Sequence, residues 1–148
     1  MRDVSVLTIA RGREAHLHNV IRGLAAQTVR PRELVIAAMQ DELYDGLPDA
    51  PFPIHQIQVT RPDGELPLAA ARNAVAAKAS GTVLAFVDVD CIPHPELVAD
   101  VAEACHEGRG LVMGEVAYLP TGATEGALDF DHFDKIGVKH SDRQGPPA

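Results

Sequence analysis

The apolar run Val83-Leu84-Ala85-Phe86-Val87 ends in two carboxylates, Asp88 and Asp90, within the stretch AFVDVDC. In extended chain, residues two apart point to the same side, so the two acids converge on one point. Convergent like charges repel, and they are kept where a cation lies between them, where they share a proton, or where the strand end opens into water. Three kinds of chemistry fit the pair. It can organise a hard divalent cation such as Mg2+ or Mn2+, which prefers oxygen donors and phosphate oxygens. Asp88 can act as a nucleophile that becomes an aspartyl phosphate, with Asp90 as acid or base. The pair can also serve as a receiver-like phosphate acceptor. Against these stands a plain solvated loop carrying two acids.

The elements around the pair narrow the choice. Val4 to Ala10 reads as a first strand, rich in β-branched residues, and Arg11-Gly12-Arg13 as a turn. From Glu14 to Gln27, Leu17, Val20, Ile21, Leu24 and Ala25 fall on one face of an amphipathic helix that Pro31 prevents from continuing. Glu33 to Met39 is a short apolar strand, and residues 41 to 53 form a loop. Ile54, Ile57 and Val59 mark a less regular third strand ending at Thr60, with polar residues interleaved as expected for an outer position. Leu68 to Ala79 is an alanine-rich helix, with Gly81 expected just past its end. The run before Asp88 reads as a fourth strand, buried on both faces. Pro95 suits the first position of a helix running to Glu107, and Leu111 to Leu119 reads as a further strand. Beyond Pro120 the chain is acidic and irregular, and residues 141 to 148 have a disordered composition.

Strands alternating with helices imply an α/β fold, Rossmann-like, with a mostly parallel sheet and helices on both faces. Ligands bind such sheets beyond the carboxyl ends of the strands. Arg11 to Arg13, Gln40-Asp41, and Asp88 with Asp90 all fall on that edge. The acids therefore end their strand because it stops at a ligand crevice.

Length and composition bound the rest. The 148 residues suit one domain, and 46% apolar with 23% charged residues is an ordinary globular balance. A net charge of -8 disfavours a nucleic-acid partner, which needs basic surface. No 18-residue apolar run offers a membrane span, and the amino terminus lacks signal-peptide features, so a cytoplasmic location is expected. Cys91 and Cys105 lack the paired spacing of a zinc site and are expected to be buried thiols.

The ordered pieces resemble the N-terminal half of a family 2 glycosyltransferase with the GT-A fold. They are the opening strand, the helix with Leu24 and Gln27-Thr28, Pro31 with Glu33-Leu34, Ala71-Arg72-Asn73, Ala79-Ser80-Gly81, and the D-x-D strand with Pro95-Glu96-Leu97. The match runs from about Val4 to Pro120. A haloacid dehalogenase-like phosphatase and a receiver would carry their acids after the first strand, where this chain has Ala10-Arg11-Gly12-Arg13.

The resemblance implies a nucleotide-sugar donor, UDP-sugar ahead of others, whose diphosphate is held through Mg2+ or Mn2+. Asp90 would ligate the metal, while Asp88 would hold the ribose or a metal-bound water. Thr8, Ala10 and Arg11 fall where the family's first loop meets base and ribose, and Arg72 with Asn73 would brace the diphosphate or the acidic loop. The family usually carries a base-reading aspartate after the second strand. Here the sequence is Ala37-Ala38-Met39-Gln40, and Asp41 is the substitute further along. Residues 1–120 are thus expected to form the nucleotide-sugar-binding domain, with 121–148 as the start of a missing or truncated acceptor half. On that basis the isolated chain is expected to bind donor without useful transfer to an acceptor, and to self-associate through exposed acceptor-side surface. Asp129, Asp131 and Asp134 with His132 form an acidic segment that offers a second metal or acceptor site, and His94 lies near enough in sequence to reach the shell around Asp90. The alternative to an enzyme is a non-catalytic module that binds a nucleotide sugar.

Overall fold

The computed structural model describes residues 2–105 and 110–139. Four strands, β1 (Val4–Ala10), β2 (Glu33–Ala38), β3 (Ile54–Gln58) and β4 (Val83–Phe86), form one sheet in the order β3-β2-β1-β4. Every pairing is parallel, with Val6 opposite Leu34 and Ala85, and Ala37 opposite Ile57. All four strands therefore end on one edge. The irregular third strand takes the outer position that its interleaved polar residues suggest.

Three helices cover the sheet. The apolar faces of α1 (Glu14–Ala25) and α3 (Leu97–Ala104) bury Leu17, Val20, Ile21, Leu24, Val98 and Ala102 against Val4, Val6, Leu34, Ile36 and Ala85. On the opposite face α2 (Leu68–Lys78) packs Ala71 and Val75 on Leu7, Val35 and Ala37. The alternation of strand side chains thus feeds two cores, one on each side. The expected α/β architecture, with a parallel sheet between helices, is the one observed.

Several boundaries differ, each for a physical reason. β4 is not buried on both faces: Leu84 and Phe86 are 41% and 52% exposed. It lies at the sheet edge, and α2 covers β1 and β2 instead. α1 stops at Ala25, and the Gln27 side chain is spent on tertiary contacts. Pro95 precedes α3 rather than opening it, because its carbonyl accepts from the Thr28 N–H at 2.9 Å. That helix ends at Ala104, and Glu107 lies outside the described residues.

The expected strand from Leu111 to Leu119 shrinks to β5 (Ala117–Tyr118), paired antiparallel with β6 (Val138–Lys139). Leu111 and Met113 have no sheet to join and are 86% and 87% exposed. The segment after Pro120, read as irregular, contains α4 (Phe130–Ile136), whose Asp129 side chain caps it by accepting from the His132 N–H at 3.1 Å. Residues 141 to 148 lie outside the described residues.

Gly81 serves a purpose other than a helix cap. Ala79 caps α2, and a Cβ on Gly81 would lie 2.7 Å from Ser5 Oγ and 2.9 Å from the Asp3 carbonyl oxygen. Its missing side chain lets the chain entering β4 approach β1.

Candidate functional site

Asp88 and Asp90 are exposed just beyond β4, and one donor atom from each, together with Cys91 Sγ, lies within 4.8 Å of the others. The strand delivers them because the Val87 N–H still bonds the Leu7 carbonyl at 2.9 Å, after which the chain turns and the Cys91 N–H bonds the Asp88 carbonyl at 2.9 Å. The donor set fits a hard divalent cation: two exposed carboxylates supply oxygen and negative charge, with room left for waters and phosphate. Burial, then Asp90 and Asp88, push the Cys91 thiol up.

The loop that follows is bolted to the end of α1. Gln27 Nε2 donates to the His94 carbonyl at 2.6 Å and to the Gly23 carbonyl at 3.1 Å, while its Oε1 accepts from the Val98 N–H at 2.9 Å. Thr28 Oγ1 donates to Glu96 at 3.0 Å. Gly23 makes room for this contact, since a Cβ there would lie 2.9 Å from Pro93 Cδ. One side chain thus joins α1 to the loop after the acids and to the first turn of α3. This clamp was missed in the sequence, although a glycine inside an otherwise regular helix is the signal for it.

A second part of the same edge is a cleft of about 160 Å3 lined by Arg11, Gln40, Asp41, Thr60, Arg61 and Glu65, among others. Arg11 donates to the Gly64 carbonyl at 3.3 Å across it. Its floor is tied down by Gln40, whose Oε1 accepts from the Gly12 N–H at 2.8 Å and whose Nε2 donates to the Glu42 carbonyl at 2.9 Å. Tyr44 adds a further tie by donating to the Gly12 carbonyl at 2.7 Å. Burial and the nearby Glu14 push its phenol up to about 12, so it remains a donor at any ordinary pH. Between these anchors Gly12 and Arg13 both adopt left-handed backbone, with φ of 59° and 52°. For Arg13 that conformation costs about 1 kcal/mol, and the surrounding ties hold it.

The expected site residues therefore divide. Arg11 and Asp41 share the cleft, and Asp88 and Asp90 share the acidic turn. Thr8 and Ala10 are buried, 1% and 2% exposed, beneath this edge, leaving mainly backbone to meet a ligand. Thr8 Oγ1 is enclosed without a hydrogen-bond partner. Arg72 is exposed on the second turn of α2, the helix that starts from this edge beside Pro67 of the cleft. His94 does not join the acidic group: its Nε2 lies 3.2 Å from Asp134 Oδ2, and its ring meets Phe130 edge-on. Asp129 is occupied as the cap of α4.

Comparison with known proteins bears on the fold and the family. The model for "Glycosyl transferase family 2" matches residues 5–132. A glycosyltransferase, AglE of Haloferax volcanii, is 39% identical over 74 residues, which are 49% of this chain and 24% of that protein. The crystal structure of S. aureus TarS 1-349 superposes with a TM-score of 0.54 at 20% identity, over 75% of this chain and 38% of that one, and shows the shared fold. The chain thus spans well under half the length of both. No helix among the described residues is long and apolar enough to cross a membrane. With the matched model covering most of its length, from the first strand to α4, the chain belongs to glycosyl transferase family 2.

Proposed function

We propose that this chain binds the nucleotide-sugar donor of a metal-dependent glycosyl transfer, with a UDP-sugar ahead of other donors. The observation that carries the reading is the pair of exposed carboxylates, Asp88 and Asp90, converging at the end of β4 on the same edge as the Arg11–Asp41 cleft. A cation bound there, Mg2+ or Mn2+, supplies Lewis-acid stabilisation of the negative charge that the departing nucleoside diphosphate gains.

The chain's own residues do the rest. Asp90 holds the metal, and Asp88 holds the ribose or a metal-bound water. Gln27 and Thr28 keep the acidic loop in place before ligand arrives, so that little ordering is needed on binding. Arg11 and Asp41 flank the base and ribose, and Arg72 offers positive charge to the diphosphate from α2. The cleft volume of about 160 Å3 suits part of a nucleotide, with the remainder lying across the open edge. In this reading residues 1–120 are the donor-binding unit, and 121–148 lead toward the acceptor side. The enzyme works in the cytoplasm, and copies associate through apolar surface such as Leu84 and Phe86. Membership in a family of glycosyl transferases, together with acids that follow β4 and not β1, supports this over phosphatase chemistry.

Calorimetric titration of UDP with Mn2+, and then with excess chelator, tests the reading. Binding is expected with the metal and at least about tenfold weaker without it, the loss of one charge-assisted contact. Equal affinity in both conditions would remove the metal from the site.

A further inference from the structure

A second cavity at the surface is distinct from the donor cleft. It has a volume of about 720 Å3 and lies between the outer side of α1 and the segment before α4. Its α1 wall carries His16, His18, Asn19 and Arg22, and the facing wall carries Thr124 and Glu125. That size matches pockets that take ligands of one or two sugar rings.

Asn19 is the informative residue. It is only 9% exposed, yet its side chain has no hydrogen-bond partner among the described residues. Among the described residues the sole side-chain polar atom wholly enclosed without a partner is Thr8 Oγ1, so the Asn19 amide is reachable from the cavity it lines. A ligand in the cavity can therefore supply the hydrogen bonds that the Asn19 amide lacks. Arg22 and Glu125 likewise have no ion pair with each other or with another described residue.

The donor inventory then selects the ligand. Arg22 only donates, an ionised Glu125 only accepts, and Asn19, Thr124 and the imidazoles can do both. An oxyanion would satisfy Arg22 but would meet the Glu125 charge and leave the Asn19 carbonyl unpaired. A molecule with closely spaced hydroxyls donates and accepts at every position, and its carbon faces suit Ala15, Ala127 and Leu128. We infer that this cavity is a binding site for a neutral, polyhydroxylated ligand, a saccharide, separate from the donor cleft. Both walls adjoin the acidic loop: α1 meets Pro93 at Gly23, and α4 reaches His94 through Asp134.

The test is a chemical-shift titration of the whole chain with maltose, lactose and galactose, and with inorganic phosphate in a separate arm, each to about 50 mM, a range suited to millimolar affinity. At least one saccharide is expected to move amide signals in 15–22 and 124–128 together with the Asn19 side-chain amide. The shifts are expected to persist without nucleotide and in the presence of chelator. Arg22→Gln, at an exposed position, is expected to weaken that saccharide about tenfold with an unchanged melting temperature, and Asn19→Ala to do the same if it folds. A UDP and Mn2+ titration reads the donor edge separately, at Arg11 and residues 88–91, so failure at one site is distinguishable from failure at the other. Shifts with phosphate alone, no shifts with any saccharide, or full saccharide binding in Arg22→Gln would overturn the assignment.

Discussion

At the amino edge of the sheet Glu33 is buried beneath converging donors, while at the carboxyl edge Asp88 and Asp90 are exposed and carry little besides the Cys91 thiol, 3.9 Å from Asp90. Glu33 Oε1 accepts from Ser5 Oγ at 2.6 Å and from the Ser80 N–H and hydroxyl at 2.7 and 3.0 Å, and His55 lies 3.4 Å from Oε2. Ser5 Oγ in turn accepts from the Gly81 N–H at 2.9 Å. Arg32 completes the edge by bonding both Asp3 and Ser80. One parallel sheet thus saturates its carboxylate at one end and leaves a carboxylate pair open at the other. Saturated groups hold a single arrangement of strands, whereas open ones remain available to a ligand and contribute little to folding.

Crowding the closed end should do the most damage. Gly81→Val places a Cβ where only 2.7 to 2.9 Å separates it from Ser5 and Asp3 atoms, and is expected to destabilise the fold by about 3 kcal/mol in urea unfolding. An unchanged midpoint would show that the two chain entries separate freely there.

A smaller loss is expected from Glu33→Gln, about 1.5 kcal/mol at pH 7, as charge-assisted bonds become neutral ones. The pH dependence sharpens this prediction. Burial works to raise the Glu33 carboxyl, but the bonds from Ser5 and Ser80 and the His55 ring together outweigh it and hold the group below the ordinary carboxylate range. Its contribution is therefore complete above the unfolded value of about 4.3 and fades as pH falls through the lower folded value. Stability curves of the parent and Glu33→Gln proteins should converge toward the acid end. A constant gap from pH 7 to pH 3 would place the effect in packing instead.

At the open end, folding and binding should separate. Asp90→Asn is expected to weaken UDP binding in Mn2+ about tenfold, and Asp88→Asn by less, with neither lowering the melting temperature because the pair is exposed and mutually repulsive. A silent Asp90→Asn beside a non-binding Asp88→Asn would reverse the two roles. Smallest of all is Cys91→Ser, expected within about twofold of the parent in the same titration, since a hard cation prefers the carboxylate oxygens to sulfur. A loss as large as that of Asp90→Asn would make the sulfur a ligand.

The linear sequence was enough for β1, α1, β2 and α2 because each signal there is local: β-branched runs, an apolar stripe at helical spacing, and turn residues between them. The same logic put Asp88 and Asp90 on one side of the chain and, through the parallel topology, on one edge with Arg11 and Asp41. It failed where burial depends on neighbours far away in sequence. Val83 to Phe86 has the composition of a central strand, yet only the strand order makes it an edge with Leu84 and Phe86 uncovered. Leu111 to Val116 opens with an apolar run too but, among the described residues, has no strand to pair with, and β propensity without a partner gives no ladder. Gln27, Gly23 and Glu33 stand out in the sequence, two as pieces of the family pattern and one as a glycine inside a regular helix, but none shows its partner there. Their roles arise from contacts across 71, 70 and 47 positions of chain, to Val98, Pro93 and Ser80, which only the folded structure brings within hydrogen-bond or van der Waals reach.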